Sequence, residues 1–422
     1  MSGQSRVNNE YGEISFGYRN PCITFVLWII RQLKTLFNVF RKQPTVMIVK
    51  VADNSTEDLS RFIMLPPELQ VTILSFLPTP DLFSVAKSCR FLSSLSKHQS
   101  LWTNLTLDWK NINENYKFCK DLVQSERFSK LRSAEITYKQ KFLEVKFINA
   151  EASCYKELSN IIDLILDMET LKSFKVDKNI LVTESQLTKI CQKSSLTGVD
   201  VSGYHITASI LSSFGDLTNL RILKLYDLKH LNSEDFEHLF SSLRNLEVVE
   251  VPSANIKDSA VARLVSNNAN LSHVVIDHCN LVSSKSIQIL AKACPDLQLV
   301  SMIKCDRLRD ADALNLISSC PQLRHIGLSR TSDKTLRKIL EVCPMIQSVS
   351  LEYCQLVSEG GLTELLTTAP RFENLELIHD TILRVANDFD KKFKIKNPDS
   401  RAKIQIKENR RILHPKSRYS VA

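Results

Sequence analysis

Nine histidines and eleven cysteines are the side chains from which this sequence could build a metal site or a nucleophile, and their spacing builds neither. No CxxC or HxxxH pair is present to start a tetrahedral zinc site. No Walker-type loop or GxSxG elbow occurs, and nine glycines in 422 residues leave few turns able to cradle a phosphate. No cysteine sits where its thiol would be activated, so thioester chemistry is disfavoured. The sequence predicts no catalytic residue, no metal and no cofactor. The odd cysteine count, without a disulfide-like spacing, points to a reducing compartment, cytosol or nucleus. The remaining chemistry is recognition, carried by charged and aromatic residues that recur at a fixed interval.

That interval belongs to a ladder running from Leu171 to Leu377. One phrase repeats in it: an aliphatic residue, two variable positions, an aliphatic, one variable, an aliphatic. The copies begin at Leu171, Leu196, Leu220, Leu246, Leu271, Leu297, Leu323, Ile346 and Phe372, in steps of 23 to 26 residues. The first half of each copy alternates with period two, as a strand does. The second half carries helical spacing, as in Phe236/Leu239/Phe240, Ile287/Leu290/Ala291, Leu336/Ile339/Leu340 and Leu362/Leu365/Leu366. One strand and one helix cannot bury their apolar sides alone, so neighbouring copies must stack. The expected fold is an α/β repeat solenoid with parallel strands lining a concave face.

The variable positions just after the anchors should face a partner. Position seven gives Tyr226, Asp277 and Glu352 among others. Position eight gives Asp227, Ser253, His278, Lys304, Arg330, Tyr353 and His379. Lys304 and Arg330, flanked by His278, make a basic run suited to an acidic or phosphorylated segment of a substrate protein. Tyr226, Asp277, His278, Lys304, Arg330, Glu352 and Tyr353 are the candidate substrate-binding residues. The ladder resembles the leucine-rich repeats of the subtype with Cys at the turn: Cys279, Cys305 and Cys354 fill position nine, and Cys294-Pro295, Cys320-Pro321 and Cys343-Pro344 close three helices. The resemblance covers residues 166–387.

Ahead of the ladder, residues 65–78 read Leu-Pro-Pro-Glu-Leu-Gln-Val-Thr-Ile-Leu-Ser-Phe-Leu-Pro. Pro66 and Pro67 suit a helix start, Leu69, Ile73 and Phe76 or Leu77 form one face, and Pro78 and Pro80 stop the helix. Leu82, Val85, Ala86 and Cys89 make a second stripe, Phe91, Leu92 and Leu95 a third, and Leu101-Trp102 closes the unit. So small a core often needs a partner. Residues 61–109 closely resemble an F-box, through Leu65, Pro66, Glu68, Leu69, Ile73, Leu74, Leu77, Asp81, Leu82, Val85, Cys89, Arg90, Leu101 and Trp102. The resemblance implies docking on the Skp adaptor, and through it on the cullin and RING subunits of a ubiquitin ligase. It assigns that contact to Leu65, Pro66, Glu68, Ile73, Leu74, Leu77, Leu82 and Trp102. Leu69, Val85 and Cys89 read as core.

The rest is linkage and tails. Residues 1–60 read as disordered but for an amphipathic stretch at 22–42, where Arg31 and Lys34 near its centre argue against a membrane span. Residues 110–165 read as a helical linker and solenoid cap, with Leu131/Ala134/Ile136 as a degenerate first rung. Residues 388–422 hold eleven Lys/Arg against four acidic residues and read as a basic, solvated tail. The leading expectation is a non-catalytic substrate receptor of a ubiquitin ligase. The alternative is an interaction scaffold at a membrane surface or on nucleic acid through its basic tails.

Overall fold

The computed structural model describes residues 6–9, 12–15, 62–108, 128–137, 151–177, 180–202, 205–378, 389–398 and 400–407. The amphipathic stretch at 22–42, Tyr116, Phe118 and Leu122 of the linker, His379 and residues 408–422 lie outside them. Two compact units are present, Met1–Leu171 and Lys172–Ala422.

In the first unit Arg6–Asn9 (β1) and Gly12–Ser15 (β2) pair antiparallel, where the sequence showed no periodicity. Three helices follow: Pro67–Leu74 (α1), Thr79–Ser88 (α2) and Arg90–Leu95 (α3). Pro67 takes the first helical position, where its missing N–H breaks no bond. Trp102 is the hub of this core: it is fully buried, packs 5.5 Å from Phe83 and 6.0 Å from Phe128, and donates its indole N–H to the Ser96 carbonyl at 2.8 Å. Trp102 also begins a strand phrase with Leu105 and Leu107, giving strand Asn104–Asp108 (β3). That strand runs parallel to Ser133–Thr137 (β4), where Leu131, Ala134 and Ile136 are buried as the degenerate rung required. Helix Glu151–Leu166 (α4) completes the unit.

The second unit is the ladder. Its strands are Ser173–Val176 (β5), Gly198–Ser202 (β6), Ile222–Tyr226 (β7), Val248–Glu250 (β8), His273–Val275 (β9), Leu299–Ser301 (β10), His325–Ser329 (β11), Ser348–Glu352 (β12) and Asn374–Ile378 (β13). A tenth, Lys403–Lys407 (β14), pairs with β13 in the same parallel register. The segment from residue 388 therefore supplies one more rung, helix Phe389–Lys396 (α13) and β14, before any tail begins. Strands β5 to β14 lie side by side in chain order, which a stack of identical right-handed strand-to-helix crossovers dictates. Every anchor of the nine sequence copies is buried. Helices fill the other layer: Glu184–Cys191 (α5), Ala208–Ser213 (α6), Ser233–Ser242 (α7), Asp258–Asn267 (α8), Ser284–Ala293 (α9), Asp310–Ser319 (α10), Asp333–Val342 (α11) and Glu359–Thr368 (α12).

A polar seam joins several helix starts. Asp258, the first residue of α8, accepts from the N–H of Ser283 (2.9 Å), the hydroxyl of Ser283 (2.6 Å) and the hydroxyl of Ser286 (2.5 Å), all at the start of α9. Asp310 of α10 does the same for Ser332 and Thr335 at the start of α11, and Asp333 for Ser358 ahead of α12. Each carboxylate caps its neighbour's orphan N–H while sitting at the positive end of its own helix.

Candidate functional site

On the first unit, the side chains that face solvent differ from those the apolar stripe suggests. The inward face of α1 is Gln70 and Leu74, one turn apart. The Gln70 amide nitrogen lies 2.8–3.1 Å from the carbonyls of Phe62, Ile63 and Leu65, so it fastens the lead-in segment to the helix. Burying Gln70 turns Leu69 outward: it is 50% exposed, Phe76 is 62% exposed and Met64 76%. Leu69 is thus a surface residue and not the core residue the sequence suggested. Leu65, Ile73 and Leu77 are half-buried beside it, and Pro66 and Glu68 are exposed. Leu74, Leu82 and Trp102, which the resemblance assigned to partner contact, are buried in the core of this unit, where they hold the helices together. Val85 is core as expected, while Cys89 is half-buried. What results is an exposed apolar patch of Met64, Leu69 and Phe76 on a small helical unit, a surface that single monomers rarely leave uncovered.

On the second unit, position seven and position eight prove to be different structures. All six described residues of position eight, Asp227, Ser253, His278, Lys304, Arg330 and Tyr353, have φ between 56° and 61°. They form the left-handed corner at which each strand leaves the sheet, a conformation that costs about 1 kcal/mol for a side chain other than glycine. The basic run expected there is largely neutralised. The Lys304 ammonium lies 2.5 Å from Glu352 Oε1, an ion pair without good hydrogen-bond angles, and 5.5 Å from the Tyr353 ring centroid. Arg330 is tied to the carboxylate of Asp306 at 2.9 Å and to its carbonyl. Burial, reinforced by the charges of Lys304 and Lys229, lowers the His278 pKa, so its ring is neutral at pH 7. The run therefore offers little free positive charge to an acidic segment.

Position seven carries the recessed groups. Glu352 is only 2% exposed. Asp277 accepts from the Ser301 hydroxyl and the Ile303 N–H, both at 2.7 Å and both on Oδ1. Burial pushes its pKa up to about 6, against the lowering effect of those two donors and with help from the charges of Glu352 and Glu250. Tyr226 donates to Glu250 Oε2 at 3.1 Å, and Lys224 lies 2.6 Å from Glu250 Oε1. Burial and the Asp200 and Glu250 charges hold the Tyr226 phenol protonated at any physiological pH. Position five, which sequence reasoning passed over, lays a floor of small side chains between these groups: Val275, Ser301, Gly327 and Ser350. A Cβ on Gly327 would lie 2.1 Å from the Ser301 hydroxyl, so only glycine lets Ser301 lean across the neighbouring strand. The face is a shallow trough with internally paired charges on its upper wall. The neutral rings of His273 and His325 stand on its lower wall, their pKa values lowered first by burial.

The six buried cysteines among the described residues are packed into the ladder. Cys279 and Cys354 are buried with Sγ against strand carbonyls, and burial raises the thiols of Cys279 and Cys320 to about 12 and of Cys294 and Cys343 to about 11. Among the described residues no group of His, Cys, Asp or Glu could hold a metal ion, and no helix is long and apolar enough to cross a membrane.

Comparison with known proteins fits both units. A family model for F-box-like domains matches residues 62–108. A solved structure titled as the Rad7 and Elc1 complex in yeast matches with a TM-score of 0.54 at 14% identity, covering 88% of this chain and 96% of that one. A chain of a TLR13–ssRNA13 complex reaches a TM-score of only 0.31 at 11% identity, over 74% of this chain and 37% of that one, too little to support an argument. No curated protein sequence matches. The chain thus carries an F-box-like match at residues 62–108, followed by a parallel strand-and-helix ladder of the leucine-rich-repeat solenoid type.

Proposed function

We propose that this protein is the non-catalytic substrate receptor of an SCF-type cullin–RING ubiquitin ligase. The F-box-like unit would dock an adaptor of the Skp or Elongin class, and the ladder would hold the protein to be ubiquitinated. The observation that carries the reading is the outward patch of Met64, Leu69 and Phe76 within the matched module, with Leu65, Pro66 and Ile73 beside it. An exposed patch of this kind on a small core is stabilised when a partner covers it. Its aromatic and aliphatic residues are the sort that anchor interfaces. The neighbour's title names a complex with Elc1, which keeps the Elongin class beside the Skp class as adaptor. The gain in rate would come from tethering, since a held substrate meets the ubiquitin-charged enzyme at a high effective concentration. A cytosolic or nuclear site of action follows from that role.

Co-purification of the full chain with each adaptor tests the reading. Leu69→Ala/Phe76→Ala should weaken retention by at least about tenfold, because interface anchors are commonly worth 2 kcal/mol or more. The same change should leave the unfolding midpoint nearly unmoved, because exposed side chains contribute little to stability. Leu65→Ala/Pro66→Ala should act in the same direction. If wild type retains neither adaptor, or both variants retain one as well as wild type does, the reading fails.

A further inference from the structure

The last rung differs in chemistry from all the others. Residues 389–407 contain seven lysines and arginines against two aspartates. Phe389 and Phe393 are buried, with ring centroids 6.0 Å apart, and pin one side of α13 to the ladder. The other side presents Lys391 and Lys394, while Lys396, a turn beyond Phe393, is also exposed and lines the neighbouring cleft; none of the three has an ion pair among the described residues. Ile395 stands beside these lysines at 81% exposure, the most exposed of the large apolar side chains among the described residues. Beside it, between the end of α12 and the end of α13, opens a cleft of about 810 Å³. Its lining includes Arg371, Lys396, Arg401, Asn397 and Ser400, with Glu373 as the one acidic residue among the described ones. Three independent features thus meet at one place: a lysine face, an apolar side chain projecting from it, and a donor-rich cleft.

We infer that this rung is a docking face for an anionic lipid surface. The lysines of α13 would lie against lipid phosphates, Ile395 would enter the headgroup boundary, and the cleft would take one headgroup phosphate between Arg371, Lys396 and Arg401. Ile395 decides between this partner and the other polyanions. A nucleic-acid phosphate backbone would use the cations and gain little from an isoleucine held in water, whereas a bilayer removes that side chain from water while its headgroup phosphates meet the flanking lysines. An acidic protein would need an apolar pocket of its own at that point, and vesicle binding separates the two. Attraction of this kind is screened by salt and adds up over the lysines, about fivefold in affinity for each. The inference is independent of adaptor docking, and every variant below should retain the adaptor as wild type does.

The test is sedimentation of the full chain with vesicles of phosphatidylcholine containing 30% phosphatidylserine, against pure phosphatidylcholine. Wild type should bind the charged vesicles only, and more weakly as salt rises from about 50 to 300 mM. Lys394→Glu/Lys396→Glu should lower affinity by about 25-fold or more, Ile395→Ser by about tenfold, and Ile395→Trp should raise it. Lys334→Glu, an exposed charge change on α11, should stay within about twofold. All these changes are at exposed positions, so thermal unfolding should be unaltered and a loss of binding will not reflect a loss of fold. Binding that is unchanged in both the Lys394→Glu/Lys396→Glu and the Ile395→Ser chains would overturn the inference. So would soluble glycerophosphoserine competing at the affinity of the vesicle. Binding to a 30-base-pair duplex that Ile395→Ser leaves intact, with none to vesicles, would replace the lipid with nucleic acid.

Discussion

Asp277 and Asp258 show how far one side-chain type can be pulled by its surroundings. Asp277 is recessed in the trough with its charge near Glu352 and Glu250, and its pKa rises to about 6. Burial also works on Asp258, but the Ser283 and Ser286 donors outweigh it and lower the pKa. The consequences for stability have opposite sign. A raised carboxyl pKa means the folded state holds the proton that the unfolded chain releases, so the charged form of Asp277 costs stability above pH 6 and the cost disappears toward pH 4. Asp277→Asn keeps an oxygen for both donors and removes the charge. It should therefore stabilise the protein by about 1–2 kcal/mol at pH 8, with the gap closing between pH 6 and pH 4 in urea titrations. No reading of the sequence could have found this, because the residues that perturb Asp277 come from rungs about 25 and 75 positions away. The exposure of Leu69 was hidden for a related reason. An apolar stripe on a helix is ordinarily assigned to its own core, and here a buried glutamine takes the core side.

At the scale of elements, the joints between helices are the informative part. Asp258 ties the start of α9 to α8 by three hydrogen bonds to a charged acceptor. Asp258→Ala should cost about 2–3 kcal/mol at pH 7, more than an exposed helix-start aspartate would. The loss should shrink as pH falls below 4, since the lowered pKa contributes stability only while the group is ionised. Chemical denaturation at pH 7 and pH 3.5 checks both statements. The strand–helix alternation of these elements was legible in the sequence, because periods of two and 3.6 residues alternate over nine copies. The corners were not. Position eight adopts a left-handed backbone in every described rung from β7 to β12, yet none of those residues is glycine or asparagine, so the usual turn signal is missing.

At the scale of the whole chain, the nine copies in the sequence are all strand-and-helix rungs, and the same phrase recurs in two further strands, β3 of the first unit and β14 of the second. Trp102 replaces the leading aliphatic of the β3 phrase. Arg401 stands where the β14 phrase should begin, so neither end copy matched the pattern. Terminal rungs of a stacked array are expected to deviate, because only one of their sides meets a like neighbour. The carboxylate–hydroxyl ties described above have a mechanical corollary. They link α8 to α9, α10 to α11 and α11 to α12, but α9 opens with Ser284 and the cap of α10 is Arg309, so among the described residues no such tie crosses from α9 to α10. Between α8 and α12 that junction alone is without the clasp, and a force applied across these helices should open it first. Grafting the missing clasp with Ser284→Asp, Arg309→Ser and Asp312→Thr should raise the rupture force in an optical trap. A rupture pattern indifferent to the graft would mean that load is carried by the strands alone.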